Sequence, residues 1–231
     1  MDAALVMVDR FFRLLISVPE WAVTYLPGPL GRLSRHYFWK MRMKHVGRGV
    51  TFGVGIQVGG AGFVSIGENT WIDDQVIILA GPPSSERNNV LRKQNPNFPG
   101  LEGELIIGNN CHIAQQVTLQ AHGGLYIGDN SGVASGSRIY SLSHHYRDHS
   151  SDNESKTVFK FTPRARPEEQ TLVSSPSVME ANTALGLNSV MLPGATIKTG
   201  SWVGVLSVVS GTIAPDSVAS GTPAAVIKKI R

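Results

Sequence analysis

Aliphatic residues recur at every sixth position over most of this chain, and this period limits the fold more than any other feature. The pattern reads IGENTW IDDQVI from Ile66, IGNNCH IAQQVT from Ile107, IGDNSG VASGSR from Ile127 and MEANTA LGLNSV MLPGAT IKTGSW VGVLSV from Met179. An amphipathic helix needs apolar residues about 3.6 positions apart, and a half-buried strand needs alternation. Neither of these periodicities fits a repeat of six.

A short strand followed by a tight turn, repeated along the chain, does fit the period. Glycine, asparagine and aspartate follow the aliphatic positions, and these residues tolerate the positive φ angles of tight turns. Three such sides close one coil of a β-helix, in which the aliphatic side chains of successive coils stack as ladders. Cys111 occupies a small-residue position of the repeat, so we expect it to be buried as a packing residue.

Two segments interrupt the repeat, at about residues 80–104 and 145–175. The first is rich in proline, asparagine and serine, and the second is polar and charged. Long irregular segments within a compact domain are commonly functional. The sequence therefore predicts an all-β domain over residues 46–231 with two inserted loops.

Residues 1–45 lack the repeat and predict a separate amphipathic helical segment. Apolar residues recur there at helical spacing, at Leu5, Val8, Phe12, Leu15 and Ile16. A basic cluster follows, at Arg32, Arg35, Lys40, Arg42 and Lys44. Charged residues at 9, 10 and 13 interrupt the apolar stretch before it reaches transmembrane length. Two interpretations stay open: residues 1–40 contact a membrane interface, or the helix packs on its own domain or on a neighbouring subunit.

The charge balance is mildly basic. Lysine and arginine outnumber the acidic residues by 21 to 17, a net charge of +4. This excess fits an anionic small molecule or a membrane surface better than nucleic acid, which needs a dense basic stripe. The single cysteine excludes an intramolecular disulfide, and no secretory cleavage site follows the run LLISV. We expect a cytoplasmic location and no nucleic-acid partner.

The repeats over residues 46–230 resemble those of the hexapeptide-repeat acyltransferases. Within that family, the stretches IYSLSHHY and VASGTPAAVIKKI are similar to the galactoside, maltose and colanic-acid type of sugar O-acetyltransferase. The resemblance implies a left-handed parallel β-helix and a homotrimer with its active sites between subunits. It also implies acetyl-CoA as the donor substrate and a carbohydrate acceptor, with no metal.

The resemblance assigns roles to particular residues. It implies that His144 is the catalytic general base, and that Gly204 and Ser207 contact coenzyme A. Lys228 and Lys229 either meet the nucleotide phosphates of coenzyme A or form a solvated tail. Gln116, His122 and His145 are the candidates for contact with the acceptor, although His122 also fits a turn residue. A backbone carbonyl or a carboxylate must orient the second ring nitrogen of His144, and Asp148 and Glu154 are the candidate carboxylates. Val205 and Leu206 stand where relatives carry small residues, which weakens the cofactor assignment there.

The implied function is acetyl-CoA-dependent O-acetylation of a sugar hydroxyl on a surface glycan, lipopolysaccharide or capsule precursor. A lipid-linked acceptor would place the enzyme on the cytoplasmic face of the membrane. An amino-sugar N-acetyltransferase, an antibiotic acetyltransferase and a non-enzymatic membrane scaffold are alternatives. A zinc carbonic-anhydrase-like β-helix is a further alternative, with His112, His144 and His149 as its metal ligands.

Overall fold

The computed structural model describes residues 17–85, 89–145, 160, 162 and 165–230. Residues 17–25 are helical, and a second helix spans Gly28–Arg42. Short 3₁₀ helices cover Ala61–Phe63 and Pro167–Glu169. None of the helices that the structure describes combines the length and apolar character needed to cross a membrane. The predicted apolar positions from Leu5 to Ile16 lie outside the described residues.

Most of the strands form three sheets that the chain visits in turn. The first sheet contains His45–Val46, Val64–Ile66, Leu105–Ile107, Leu125–Ile127, Ser177–Met179, Thr196–Ile197 and Thr212–Ile213. The second contains Thr51–Phe52, Trp71–Ile72, His112–Ile113, Gly132–Val133, Ala184–Leu185, Trp202–Val203, Ser217–Gly221 and Ala224–Lys229. The third contains Gln57–Gly59, Ile77–Leu79, Thr118–Gln120, Arg138–Tyr140, Val190–Met191 and Val208–Val209.

Each strand pairs in parallel with the strand one coil before it and the strand one coil after it, apart from the final antiparallel strand Ala224–Lys229. Leu119, for example, lies in register between Ile78 and Ile139, and all three side chains are fully buried. The protein is therefore a three-sided parallel β-helix whose interior consists of aliphatic ladders. The six-residue period correctly predicted this architecture, because one inward side chain per side is what the coil needs.

Left-handed residues occur at all three corners, and at the third corner they are glycines such as Gly124 and Gly194. Between the first and second sheets these residues are Gly49, Asn69, Asn110, Asn130, Asn182, Gly200 and Asp216. The asparagines also bond to each other along the coil, since Asn110 Nδ2 donates to Asn130 Oδ1 at 3.2 Å. Cys111 is buried next to this corner, where burial raises the pKa of its thiol. Its predicted packing role is confirmed.

Both insertions leave the coil at the third corner, between the third and first sheets. The first lies between Ile77–Leu79 and Leu105–Ile107, and the second lies between Arg138–Tyr140 and Ser177–Met179. They pair with each other in a small sheet formed by Val90–Arg92, Leu172–Ser174 and Leu142–His144. The second insertion therefore begins a few residues earlier than the sequence predicted.

The helix Gly28–Arg42 closes the first end of the coil. Trp39 is fully buried, and the buried Arg35 donates from Nε to the carbonyl oxygen of Phe52 at 2.9 Å and from Nη1 to that of Leu26 at 2.7 Å. These donors meet backbone acceptors and the Asp74 carboxylate adds a favourable charge, so the guanidinium can be buried. One face of the predicted amphipathic helix thus packs on its own domain.

Candidate active site

A cavity of about 320 Å³ opens at the third corner. Three successive coils contribute to its wall: residues 82–84 of the first insertion, Gln120 and His122 of the next corner, and residues 142–144 with Leu172 of the second insertion. The regular corners turn within a few residues. This corner is the one where the chain departs from the coil and places polar side chains around a shared space.

His144 is the last residue of the strand Leu142–His144, and its ring lines the cavity. Its Nε2 lies 3.3 Å from Oε1 of Gln170, a residue that is only 4% exposed. The Gln170 amide cannot be reversed, because its Nε2 donates to the carbonyl oxygen of Ala165 at 2.8 Å. The amide oxygen therefore accepts from His144 Nε2. A neutral His144 ring then carries its proton on Nε2 and its lone pair on Nδ1.

Sequence analysis did not identify Gln170 as the partner of His144. The candidates Asp148 and Glu154 lie outside the described residues. Gln170 lies 26 positions after His144, in the strand-like return of the second insertion, where no repeat constrains its place. In the sequence, Gln170 is one of many polar residues of a long insertion, and nothing in its spacing marks the contact.

His122 lines the same cavity as His144. Its Nδ1 lies 2.7 Å from the carbonyl oxygen of Gly81 in the preceding coil. A carbonyl oxygen can only accept, so Nδ1 carries the proton and Nε2 is the acceptor of a neutral ring. The two imidazoles are thus held by hydrogen bonds from outside the cavity.

The sequence has relatives among known acyltransferases. It is 30% identical over 170 residues to a dTDP-4-amino-4,6-dideoxy-D-glucose acyltransferase of Escherichia coli, and the match covers 73% of this chain and 83% of that protein. The chain belongs to the hexapeptide-repeat sugar acyltransferases. It is also 32% identical over 127 residues to a candidate lipopolysaccharide biosynthesis O-acetyl transferase, WbbJ, of Escherichia coli K12, covering 55% of this chain and 61% of that protein.

Solved structures share the fold of this acyltransferase. AntD, an N-acyltransferase of Bacillus cereus in complex with dTDP-4-amino-4,6-dideoxyglucose and coenzyme A, aligns with a TM-score of 0.65 at 20% identity over 85% of this chain and 89% of that chain. A maltose O-acetyltransferase of Clostridium difficile 630 aligns with a TM-score of 0.57 at 18% identity over 100% and 90% of the two chains. No family model matches the sequence.

The acceptor residues predicted for this acyltransferase lie in different places. His145 follows His144, and its backbone N–H donates to the carbonyl oxygen of Thr171 at 2.9 Å. Gln116 lies at the corner between the second and third sheets, where its Nε2 donates to Oε1 of Gln75 at 3.2 Å. One chain of the acyltransferase therefore brings His122 to the cavity of His144 but not Gln116, whose role stays a prediction.

The predicted cofactor residues of the acyltransferase also lie away from the cavity of one chain. Gly204 and Ser207 are at the same corner as Gln116, several coils further on. The Ser207 hydroxyl is buried and accepts from the N–H of Gly221 at 3.1 Å. Lys228 and Lys229 are exposed on the final strand. Contact of these residues with coenzyme A stays a prediction.

The histidines considered for zinc are also separated in this acyltransferase. His112 is on the second sheet, where its Nε2 lies 2.8 Å from Asp73 Oδ2, whereas His144 is at the third corner. His149 lies outside the described residues. Among the residues that the structure describes, no three histidine, cysteine, aspartate or glutamate side chains are placed to hold one metal ion.

Proposed function

We propose that this acyltransferase moves an acetyl group from acetyl-CoA to a sugar hydroxyl of a surface-glycan precursor, with His144 as the general base. The observation that carries the proposal is the position of His144 in the wall of the third-corner cavity, with its tautomer set by Gln170. A neutral imidazole whose tautomer is fixed through Nε2 suits proton abstraction near neutral pH.

Each residue of the proposed site has a defined task in this reaction. His144 takes the hydroxyl proton onto Nδ1 as the acceptor oxygen attacks the thioester carbonyl carbon, and the Gln170 oxygen stabilises the resulting imidazolium at Nε2. The carbonyl then re-forms and the carbon–sulfur bond breaks. His144 returns its proton to the departing thiolate, so the products are the acetylated sugar and coenzyme A.

Replacement of His144 tests the assignment. We expect His144→Ala to lower kcat by at least about a hundredfold while acetyl-CoA binding is retained, because a positioned base contributes on the order of 10²–10⁴. His112→Asn is a matched control, since His112 is exposed on a different sheet and should leave kcat unchanged. Near-normal turnover of His144→Ala would remove His144 from the mechanism.

An amino-sugar acceptor is the second candidate. It is favoured by the Escherichia coli relative whose length is covered to 83% by the match, because that relative is a dTDP-4-amino-sugar acyltransferase. Incubation with acetyl-CoA and matched dTDP-sugars, bearing either an amine or a hydroxyl at the same carbon, separates the two reactions. An ester product is cleaved by mild alkali and an amide is not. Formation of the amide alone would replace the O-acetyl proposal.

We further propose that the β-helix is left-handed and that the active unit is a homotrimer. The fold likeness to a maltose O-acetyltransferase supports the left-handed coil, and the trimer is what the family resemblance implies. A trimer would allow Gln116, Gly204 and Ser207 of one subunit to approach the His144 cavity of another. Light scattering of the purified protein tests the trimer. If each active site contains residues of two subunits, mixing the inactive His144→Ala protein with a protein inactivated at Lys228 and Lys229 should restore partial activity.

We also propose peripheral contact with the cytoplasmic face of a membrane, where acetyl-CoA is available. The outer face of the helix Gly28–Arg42 exposes an apolar stripe, formed by Leu30 (67%), Leu33 (54%), Tyr37 (57%) and Met41 (79%). Arg32 and Lys40 are exposed on the same helix and suit anionic lipid. These side chains belong to the 1–45 segment, which we propose to be functionally separate from the coil.

The exposed stripe allows a sharper membrane test than truncation. Deleting residues 1–40 would remove Arg35 and Trp39, which are buried against the first coil. Leu33→Glu and Met41→Glu should instead leave the fold intact and abolish sedimentation with phosphatidylglycerol vesicles. Leu101→Glu, a change at an exposed leucine of the first insertion, is the control. Unchanged sedimentation of the stripe variants would contradict membrane contact.

A further inference from the structure

Acyl transfer to an alcohol or an amine needs a hydrogen-bond donor at the thioester oxygen as well as a base. The carbonyl oxygen gains negative charge as the tetrahedral intermediate forms, and a positioned donor is commonly the largest catalytic contribution of the protein. Neutral His122 presents a lone pair at Nε2, and His144 is the proposed base. Neither imidazole supplies this donor. The search for it rests on the acyl transfer proposed above.

Several backbone N–H groups beside the cavity are already bonded within the chain. Those of Ala121, Gly123, Gly124, Ser141, Leu142 and His145 all have acceptors at 2.7–3.3 Å. Withdrawing any of them would leave a buried or half-buried carbonyl or side-chain oxygen without its donor. A side chain can supply the oxyanion hydrogen bond at this corner without breaking these contacts.

Gln120 is the side chain placed to provide it. It ends the strand Thr118–Gln120, lines the cavity and lies two positions before His122. Its Oε1 accepts from the backbone N–H of Ser141 at 3.3 Å and from that of Leu142 at 2.9 Å. Both partners can only donate, so the orientation of the amide is fixed with its oxygen towards the backbone.

The amide nitrogen of Gln120 then points away from that backbone segment. Gln120 Nε2 makes no hydrogen bond to a residue that the structure describes, although the same side chain makes two bonds through its oxygen. The strand that Gln120 holds through Leu142 ends at His144. The amide donor and the proposed base are thus tied to one short strand, which fixes their separation.

We propose that Gln120 is a catalytic residue whose Nε2–H donates to the thioester oxygen in the transition state. As the acceptor oxygen bonds to the carbonyl carbon, the π electrons move onto the thioester oxygen, where Gln120 stabilises the charge, and His144 receives the acceptor proton. When the carbonyl re-forms, the carbon–sulfur bond breaks and the thiolate takes that proton from His144. Gln120 returns to its starting state without being consumed.

Two substitutions separate the donor role from the structural role. Gln120→Glu keeps an oxygen for the N–H groups of Ser141 and Leu142 but removes the amide donor. Gln120→Met has a similar length and removes both. We expect both variants to lower kcat, on the order of 10²–10³-fold, because that is the usual effect of removing one oxyanion donor. The dissociation constant for acetyl-CoA should change by less than about threefold, since the donor acts in the transition state.

Comparison of kcat in the two Gln120 variants distinguishes a donor role from a structural role and from an effect of the new charge. A matched control accompanies them. Gln57→Glu makes the same change on an exposed residue of the same sheet and should leave kcat unchanged. A loss in Gln120→Met with normal turnover in Gln120→Glu would assign Gln120 to holding the 141–142 turn, and would overturn the proposal. A loss in Gln120→Glu alone would assign the effect to its negative charge, and would also overturn it.

The experiment also separates this proposal from the proposed function. Normal turnover of both Gln120 variants, beside an inactive His144→Ala, would refute the oxyanion role and leave the acyl transfer in place. A wild-type protein that transfers no acetyl group to any sugar would instead refute the proposed function. A kcat loss in both Gln120 variants with retained thermal stability and cofactor affinity supports the donor.

Discussion

Truncation of Leu119 tests whether the inner ladders hold this β-helix together. The side chain is fully buried and has the fully buried Ile78 and Ile139 as its neighbours in the adjacent coils. Leu119→Ala removes three carbon atoms, which at about 0.8 kcal/mol for each buried methylene amounts to roughly 2.4 kcal/mol. Hydrogen bonds fix the coil spacing, so the space cannot fully collapse. The cavity that remains should raise the total loss of unfolding free energy to about 3–5 kcal/mol.

Urea unfolding followed by circular dichroism, at one fixed protein concentration, measures this free energy. Leu101→Ala is the matched control, because Leu101 is 74% exposed and should change stability by less than about 0.5 kcal/mol. The urea concentration at the unfolding midpoint should fall in Leu119→Ala, with little change in the dependence of the unfolding free energy on urea concentration. A loss below about 1 kcal/mol would refute the reasoning, since it would mean that the ladder contributes no more than the surface does.

Three further predictions concern other parts of the chain. Burial raises the pKa of the Cys111 thiol, so iodoacetamide at pH 8 should leave Cys111 unmodified in the native protein and modify it in urea, as mass spectrometry would show. Leu206 has a φ of 55°, a left-handed conformation that asparagine adopts at lower cost than leucine, and its side chain is 70% exposed. Leu206→Asn should therefore raise the free energy of unfolding of the isolated subunit, measured with urea, by about 1 kcal/mol. The Lys160 amino group and the Arg166 N–H lower the pKa of Glu169 from 4.5 to about 2, so its carboxylate stabilises the fold above about pH 4.5 and loses that effect as the pH falls towards 2. Glu169→Gln should therefore lower the thermal midpoint at pH 7 and have a vanishing effect near pH 2.

The regular coil was predictable from the sequence because its physical requirement is local. One inward aliphatic side chain and one left-handed residue per side are enough to define it, and both are visible at Ile107 and Asn110. Leu206 shows where this rule has an exception, since it occupies a left-handed position that Gly136 and Asn188 occupy in the coils before it. The parallel coil of short strands was therefore predictable without any knowledge of distant contacts.

The contents of the cavity were less predictable, because they depend on contacts across coils and between insertions. His144 was found through its family resemblance, but Gln170 meets it only after the second insertion folds back beside Leu142–His144. Gln120 reads in the sequence as the ordinary end of a hexad. Its role depends on which end of the amide binds the next coil, and no spacing rule contains that information.

The location of the proposed site follows from how this fold uses its polar groups. In a regular coil, backbone N–H and carbonyl groups bond to the coils on either side, and corner side chains such as Asn110 bond along the axis. Few donors or acceptors then remain for a substrate. At the third corner the insertions displace this pattern, and groups such as the Gly81 carbonyl orient His122 instead. Chemistry should therefore concentrate where the repeat fails in successive coils, which is where Gln120, His122 and His144 meet.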